Sequence, residues 1–508
     1  MIKKTVFLII PLVLLTFAFN RSSTVFWKGG ADPTYAYLLN GSNLAYEHGN
    51  VGMYQHPGSS VMLINAFIIQ VTYKIKDTDN NLREDVLLHP ESYIKVISWF
   101  FTMINCTLVF LLGILIFKFT KNISYGLLFQ SISFLSSLGL TIFYNVGPDP
   151  VLFGSVLLFV VVFLTKFYFN KSGGVLQINY QTERRLVSIL NIDGLIICLA
   201  LLMGFCFATK MNCMPLILAP LLFVYKKNIV SFLGFTFLST LIFTLPIANH
   251  YDDLFVWVKG IFTHSGNYGS GDEQFINFVE LPKKMGVFLL HEPIVIFILL
   301  SSFCIIIRQF YLKIFDIHFK VLGSVLLMQI GGLIMIFKHF EIRYYLPVYI
   351  TLIINLFMMF EILNFKNKVK DGIIYSFIIS SFLFSFFQIK YEEDTFTKLY
   401  TPSEIVVNKN YINVYSEGCY SKEYALKFGD FFASNANAKT LEKLYGTNYF
   451  FIIWEQQLYD WRGPVEFDSL FKLNKKIYFY CSDRFVKTYN FKFKLKRVSN
   501  GRYLVEQK

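Results

Sequence analysis

Ionisable side chains stand at four places where an apolar chain tolerates them least, and lone charges beside membrane-type segments are costly unless they are used. Asp32 lies in Trp27-Lys28-Gly29-Gly30-Ala31-Asp32-Pro33-Thr34-Tyr35, about a dozen residues after the first apolar run. Asp followed by Pro predicts a helix start, with Asp32 as cap and Pro33 at the first helical position. A carboxylate held that rigidly also suits a general base. Asp149 lies in Tyr144-Asn145-Val146-Gly147-Pro148-Asp149-Pro150, where turn chemistry alone favours such residue types. The alternative is a second acid sharing base and binding duties with Asp32.

The segment Lys338-His339-Phe340-Glu341-Ile342-Arg343-Tyr344-Tyr345-Leu346-Pro347 is a short turn dense in charge. Aromatic and basic residues anchor helices at headgroup depth, and that alone would explain it. A phosphate site explains it better, because Arg343 offers a planar fork of donors and Lys338 a point charge. Lys210 and His264 are further candidates for holding the phosphate. The loop His264-Ser265-Gly266-Asn267-Tyr268-Gly269-Ser270-Gly271 lacks the pattern of a nucleotide-binding loop and predicts a flexible lid. Trp257 and Tyr268 would supply flat faces for stacking a sugar, with Tyr35, His56 and Tyr344 completing that pocket. A divalent metal is an alternative, with His56, His264 and Glu47 as available ligands, but no spacing among them makes a preformed cage. No other cofactor is expected.

These residues need a scaffold that lives in lipid. Of the 508 residues 54% are hydrophobic and 16% charged, and the mean hydropathy is +0.48. That composition excludes an ordinary water-soluble surface. Apolar runs at 5–20, 93–117, 123–143, 150–169, 188–208, 211–225, 228–247, 286–307, 320–337, 345–364 and 372–389 predict about eleven membrane helices. The first run follows Lys3 and Lys4 but no small-x-small cleavage site follows it, so an uncleaved span is expected.

With the N-terminus inside, basic turns containing Lys118, Lys121, Lys171, Arg184, Arg185, Lys226, Lys227, Arg308, Lys313, Lys366, Lys368 and Lys370 fall on the inner side. The formal net charge of +13 is then a matter of topology, not a nucleic-acid patch. The run 211–225 is short and follows Lys210 closely, so a bent or half-inserted helix is the alternative there.

Three segments are expected outside: a long loop over 21–92, the stretch 249–285, and the tail after 388. Within the first, 59–71 reads as an interfacial or re-entrant helix. The division expected is 1–390 as the membrane domain and 391–508 as a small α/β domain. In the tail, strands at 411–415, 449–454 and 476–480 alternate with helices near 422–432 and 440–445, and Ser499-Asn500-Gly501 predicts a hairpin turn. Five of the seven cysteines lie in or beside apolar runs as packing residues; Cys419 and Cys481 could form a disulfide in an oxidising compartment.

At these residues the chain resembles the integral-membrane glycosyltransferases of the GT-C class. It is most similar to the bacterial relatives of the protein O-mannosyltransferases and the lipid A aminoarabinose transferases. The features that carry the likeness are one N-terminal span before a long outer loop with an early Asp32, then Tyr35, Asn40-Gly41, His56-Pro57-Gly58, the acidic turn at Asp149 and the Arg343-Tyr344-Tyr345-Leu346-Pro347 segment. It covers roughly residues 1–390. Many relatives carry two adjacent acids in the first loop, whereas Pro33 follows Asp32 here; Asp149 or Glu47 would have to supply the second.

The resemblance implies an inverting transferase that takes a sugar from a polyprenyl-phosphate donor at the outer face of the bacterial inner membrane. Asp32 would be the base, and Arg343, Lys338, Lys210 and His264 would hold the phosphate. The acceptor would be a surface glycan such as O-antigen, lipid A or a secreted protein. A transporter or flippase of lipid-linked sugar is the rival from another class, but no internal repeat supports it. A surface-polysaccharide polymerase or ligase is the other rival.

Overall fold

The computed structural model describes the chain except residues 1, 30–31, 48–50, 170–192, 225, 267–268, 401–409, 417–420, 454–456, 474, 483–484, 487–493, 500 and 507–508. It separates into two units. The first comprises Met1–Asn20, Tyr54–Ser60 and Phe100–Ile389; the second comprises Arg21–Met53, Val61–Trp99 and Lys390–Lys508.

The first unit is helical because its sequence is apolar on every side and lipid leaves backbone groups no partner but one another. Among the described residues of the chain, seven helices are long and apolar enough to cross a membrane: Pro90–Thr120, Pro148–Phe169, Asn228–Thr263, Pro293–Tyr311, Ile317–Lys338, Ile342–Leu363 and Asn367–Glu393. The protein is therefore membrane-embedded. Four further runs read as spans are the shorter apolar helices Val6–Arg21, Ile123–Phe134, Gly194–Thr209 and Met211–Leu221.

Polar residues mark where these helices begin. The side chains of Asn122, Asp193 and Asp316 accept from the amides of Ser124, Leu195 and Phe319, satisfying donors that a helix start leaves open. Pro148 and Pro293 occupy first turns, where a missing N–H costs nothing. Burial then ranks the helices: the most apolar windows of Pro148–Phe169 and Ile342–Leu363 are 72% buried, against 22% for Asn228–Thr263 and Asn367–Glu393. The first pair forms the centre, and the second pair presents its apolar sides outward, as lipid-facing helices do.

A reciprocal amide pair locks the centre. Asn355 donates to Gln329 Oε1 at 2.9 Å and to Ser302 Oγ at 2.9 Å, while Gln329 donates to Asn355 Oδ1 at 2.8 Å. Three central helices thereby share one register.

The second unit is built on a seven-stranded mixed sheet of order β4-β3-β2-β1-β5-β7-β6. Its strands are β1 (Ile412–Ser416), β2 (Tyr449–Ile452), β3 (Leu458–Tyr459), β4 (Pro464–Val465), β5 (Ile477–Tyr480), β6 (Lys494–Ser499) and β7 (Arg502–Glu506). β1 lies parallel to both β2 and β5, with Val414 opposite Phe450 on one side and Phe479 on the other. The helices Lys422–Phe431 and Ala438–Tyr445 make the crossover from β1 to β2, as a parallel pair requires.

The second unit resumes at Lys390 and takes in most of the long loop together with the tail. Helix Thr34–Glu47 lies on Lys422–Phe431 so closely that a Cβ on Gly429 would sit 2.6 Å from the Tyr35 carbonyl oxygen. Asn40 donates to the Phe432 carbonyl at 3.1 Å, and Asn437 donates to Asn43 Oδ1 at 3.2 Å. Asn40-Gly41, one of the features behind the family resemblance, has packing work here: a Cβ on Gly41 would meet Asn65 Cβ at 2.8 Å. The run expected as an interfacial helix over 59–71 is the longer helix Ser59–Lys76. Cys419 lies outside the described residues, and with it the suggested disulfide to Cys481.

Candidate functional site

In the first unit three chain breaks carry polar residues to one place. Pro148–Phe169 begins with Asp149 in its first turn, where the helix's partial positive end favours a carboxylate. Gly194–Thr209 ends at Lys210, whose backbone is extended (φ −165°) before the chain winds again from Met211. The short Ile342–Tyr345 turn leads into Leu346–Leu363 and carries Arg343 and Tyr344.

Lys210 joins the three. Its ammonium donates to Asp149 Oδ1 at 2.8 Å and lies 5.0 Å from the centre of the Tyr344 ring. The Arg343 guanidinium stands 5.8 Å from the same ring, so one aromatic ring serves two cations. Asn212, just beyond the break, donates to the Tyr344 carbonyl at 2.8 Å and fixes that turn.

His56 comes from the Tyr54–Ser60 segment. Its ring lies 5.1 Å from Trp257, edge to face at 78°, and 5.9 Å from Tyr344. Burial first, then the positive charges of Lys210, Arg343 and His339, push its pKa down to about 3. The imidazole is therefore neutral near pH 7. His56 has φ +68° and Gly58 +63°; holding a non-glycine residue in that region costs about 1–3 kcal/mol, a strain often stored at functional sites.

Lys210, His56, Trp257 and Tyr344 line a narrow cavity of about 100 Å³ whose other walls include Met211, Met214, Ile334 and Met335. On the other side of Trp257 a wider cleft of about 780 Å³ is lined by Tyr54, Gln55, Asp253, Lys259, His264 and Glu273 among others.

Lys338, His339 and Glu341 line the same narrow cavity, and the first two also hold backbone. Lys338 donates to the carbonyls of Phe275 at 2.7 Å and Phe262 at 3.2 Å. The His339 ring nitrogens lie 2.9 and 3.1 Å from the carbonyls of Gly266 and Ile261. The Gly-spaced loop closes on itself through Gly266 N to Ser270 O at 2.8 Å and Ser265 N to Asp272 O at 3.0 Å. Hydrogen bonds thus fasten the described part of the Gly-spaced loop, and two of the three Lys338 N–H donors go to carbonyls. His264 pairs with the neighbouring Thr263 hydroxyl at 2.8 Å and faces the wide cleft. Tyr268 lies outside the described residues.

Two expected site residues belong to the second unit. Pro33, not Asp32, stands at the cap position of Thr34–Glu47: its carbonyl accepts from Tyr37 N at 3.0 Å, leaving Asp32 one residue before the cap. Tyr35 is wholly buried and donates to Glu91 Oε1 at 2.7 Å, which makes it a packing residue and not a pocket wall. Glu91 also accepts from the amides of Phe26 at 2.9 Å and Trp27 at 3.2 Å. That carboxylate pins both sides of the Asp32 segment.

Asn212, Tyr54, Asp253, Glu273 and Glu91 were not singled out from the sequence. Only Asn212 carried a signal, as a polar residue two positions past Lys210 in an apolar run. Among the described residues no group of three His, Cys, Asp or Glu side chains could hold a metal ion. Comparisons with family models, characterised proteins and solved structures find no match.

Proposed function

We propose that this protein is a membrane glycosyltransferase of the GT-C type, moving a monosaccharide from a polyprenyl-phosphate donor to an acceptor hydroxyl at the outer face of the bacterial inner membrane. The observation that carries the reading is that Lys210 and Arg343 both stand beside the Tyr344 ring, and that Lys210 and Tyr344 line a cavity walled in part by Met211, Met214 and Met335. A ligand suited to both parts is an amphiphile with an anionic head, since cations meet the phosphate and polarizable side chains meet the apolar chain.

In this reading the acceptor oxygen attacks the anomeric carbon and the bond from that carbon to the phosphate oxygen breaks with inversion. The phosphate keeps the electron pair, and Lys210 and Arg343 offset the charge that grows on it. Phosphate is already a good leaving group, so no strong acid is needed; a base for the acceptor proton is. The family resemblance gives that role to Asp32. Asp149, already bound to Lys210, orients the cation.

The test is transfer by purified protein in lipid, supplied with polyprenyl-phosphate hexose and outer-membrane glycan. Arg343→Ala should weaken use of the donor roughly tenfold to a hundredfold, the worth of one charged hydrogen bond. Asp32→Asn should abolish transfer at unchanged protein level. Full transfer by Asp32→Asn would remove the base assignment, and an unaltered donor response in Arg343→Ala would move the phosphate site elsewhere.

A further inference from the structure

The wide cleft beyond Trp257 is not needed by a lipid phosphate, and its chemistry is opposite to that of the cation pair. Asp253 and Glu273 give its wall two carboxylates against the single ammonium of Lys259. In a chain of formal charge +13, an acidic wall beside a cationic site runs against composition. An anionic ligand is disfavoured there.

The aromatic residues are held in place. The Tyr54 ring stacks on His250 with centres 5.3 Å apart and planes 18° from parallel, and His250 Nδ1 lies 3.3 Å from Asp253 Oδ2. With one face on His250, Tyr54 has only the other to offer a ligand. Trp257 is 8% exposed, and its buried indole N–H has no partner among the described residues. A buried donor of this kind is costly unless something meets it. The cleft, at about 780 Å³, falls within the size range of small-molecule sites.

We infer that this cleft is the acceptor site and that it takes the hydroxyl-bearing end of an uncharged oligosaccharide, not a phosphorylated lipid or a polypeptide. The inference rests on the transferase reading above and narrows it. Carboxylates accept strong hydrogen bonds from sugar hydroxyls. The open face of Tyr54 matches the apolar C–H face of a pyranose ring, and Trp257 closes the cleft behind it. Trp257 also lines the narrow cavity, so an acceptor seated against it is brought beside the place assigned to the donor head.

The experiment measures acceptor binding without donor, by saturation-transfer NMR and titration on the full chain in lipid nanodiscs. Probes are neutral tetrasaccharides of hexose and N-acetylhexosamine, a tetrasaccharide of equal length containing hexuronate, and a Ser/Thr-rich peptide. A neutral saccharide should bind best, and Asp253→Asn and Glu273→Gln should each weaken it about tenfold. Tighter binding of the uronate or the peptide, no saccharide binding even at tens of millimolar, or unchanged binding in both variants would overturn the assignment. Polyprenyl-phosphate binding, measured on the same samples, should be unaltered by either substitution. Saccharide binding without lipid-phosphate binding would sink the transferase reading and leave the cleft standing; the converse would sink the cleft alone.

Discussion

At Lys210 one ammonium ties a carboxylate from one helix to an aromatic ring from another. Its charge beside an apolar run marked it as a candidate, but its partners could not be found by spacing. Asp149 is 61 positions away and bonded to it at 2.8 Å. Lys338 shows the reverse: residue type suggested a phosphate ligand, whereas the backbone carbonyls that claim it have no sequence signature.

His56 gives a prediction with a definite sign. Its folded pKa of about 3 lies below the ordinary 6.5, so between those values the unfolded chain binds a proton that the folded chain refuses. Stability should therefore fall as pH drops from about 6.5 toward 3. Replacing His56 by Gln removes that term. Thermal unfolding followed between pH 4 and 7 should show a shallower loss in His56→Gln than in the unsubstituted protein. Equal slopes would mean that His56 protonates freely in the folded state.

At the scale of elements, the helix ending in Lys210 is placed by contact between small residues. A Cβ on Gly204 would meet the Thr236 carbonyl at 2.5 Å and Ser239 Cβ at 2.4 Å, where Gly194–Thr209 crosses Lys226–Thr244. Ser239 donates to the Leu201 carbonyl at 2.8 Å across the same crossing. Backbone cannot yield as a flexible side chain can, so Gly204→Ala should cost roughly 1–3 kcal/mol. It should also displace Lys210, lowering donor binding more than an equally destabilising change far from this helix. Thermal midpoint and lipid-phosphate binding measured together check this; a loss of stability with unchanged binding would show that the crossing does not position the lysine. The long helices were legible because apolar composition leaves no other stable conformation in lipid. Strands β1, β2 and β5 were legible by their alternation with helical runs, while β3 and β4, each only two residues long, gave no pattern to read. The attachment of Thr34–Glu47 to the tail was illegible, since Asn40 and Asn43 of that helix find their partners, the Phe432 carbonyl and Asn437, hundreds of positions away, as does Tyr35 its close neighbour Gly429.

At the scale of the whole chain, the topology turns on the run after Lys210. Met211–Leu221 contains seven residues of 3₁₀-helix followed by a short α-turn, which at about 2.0 and 1.5 Å per residue spans roughly 20 Å. That is shorter than a hydrocarbon core of about 30 Å. Parity supports a crossing: Lys210, Trp257 and Tyr344 share one cavity, and the chain leaves and returns to it through pairs of apolar segments. From Lys210 to Trp257 those are Met211–Leu221 and the helix beginning at Asn228; from Trp257 to Tyr344 they are Pro293–Tyr311 and Ile317–Lys338. If Met211–Leu221 did not carry the chain to the far side, the long helix after it would leave Trp257 opposite Lys210. We therefore predict that single cysteines replacing Lys121 and Lys313 react from the same side of the membrane, and that cysteines replacing Asn145 and Ser270 react from the other. Labelling of intact and opened cells by a membrane-impermeant maleimide distinguishes the two. Reaction of the Lys121 and Lys313 positions from opposite sides would mean that the segment after Lys210 fails to cross, and the shared site of Lys210 and Tyr344 could not form.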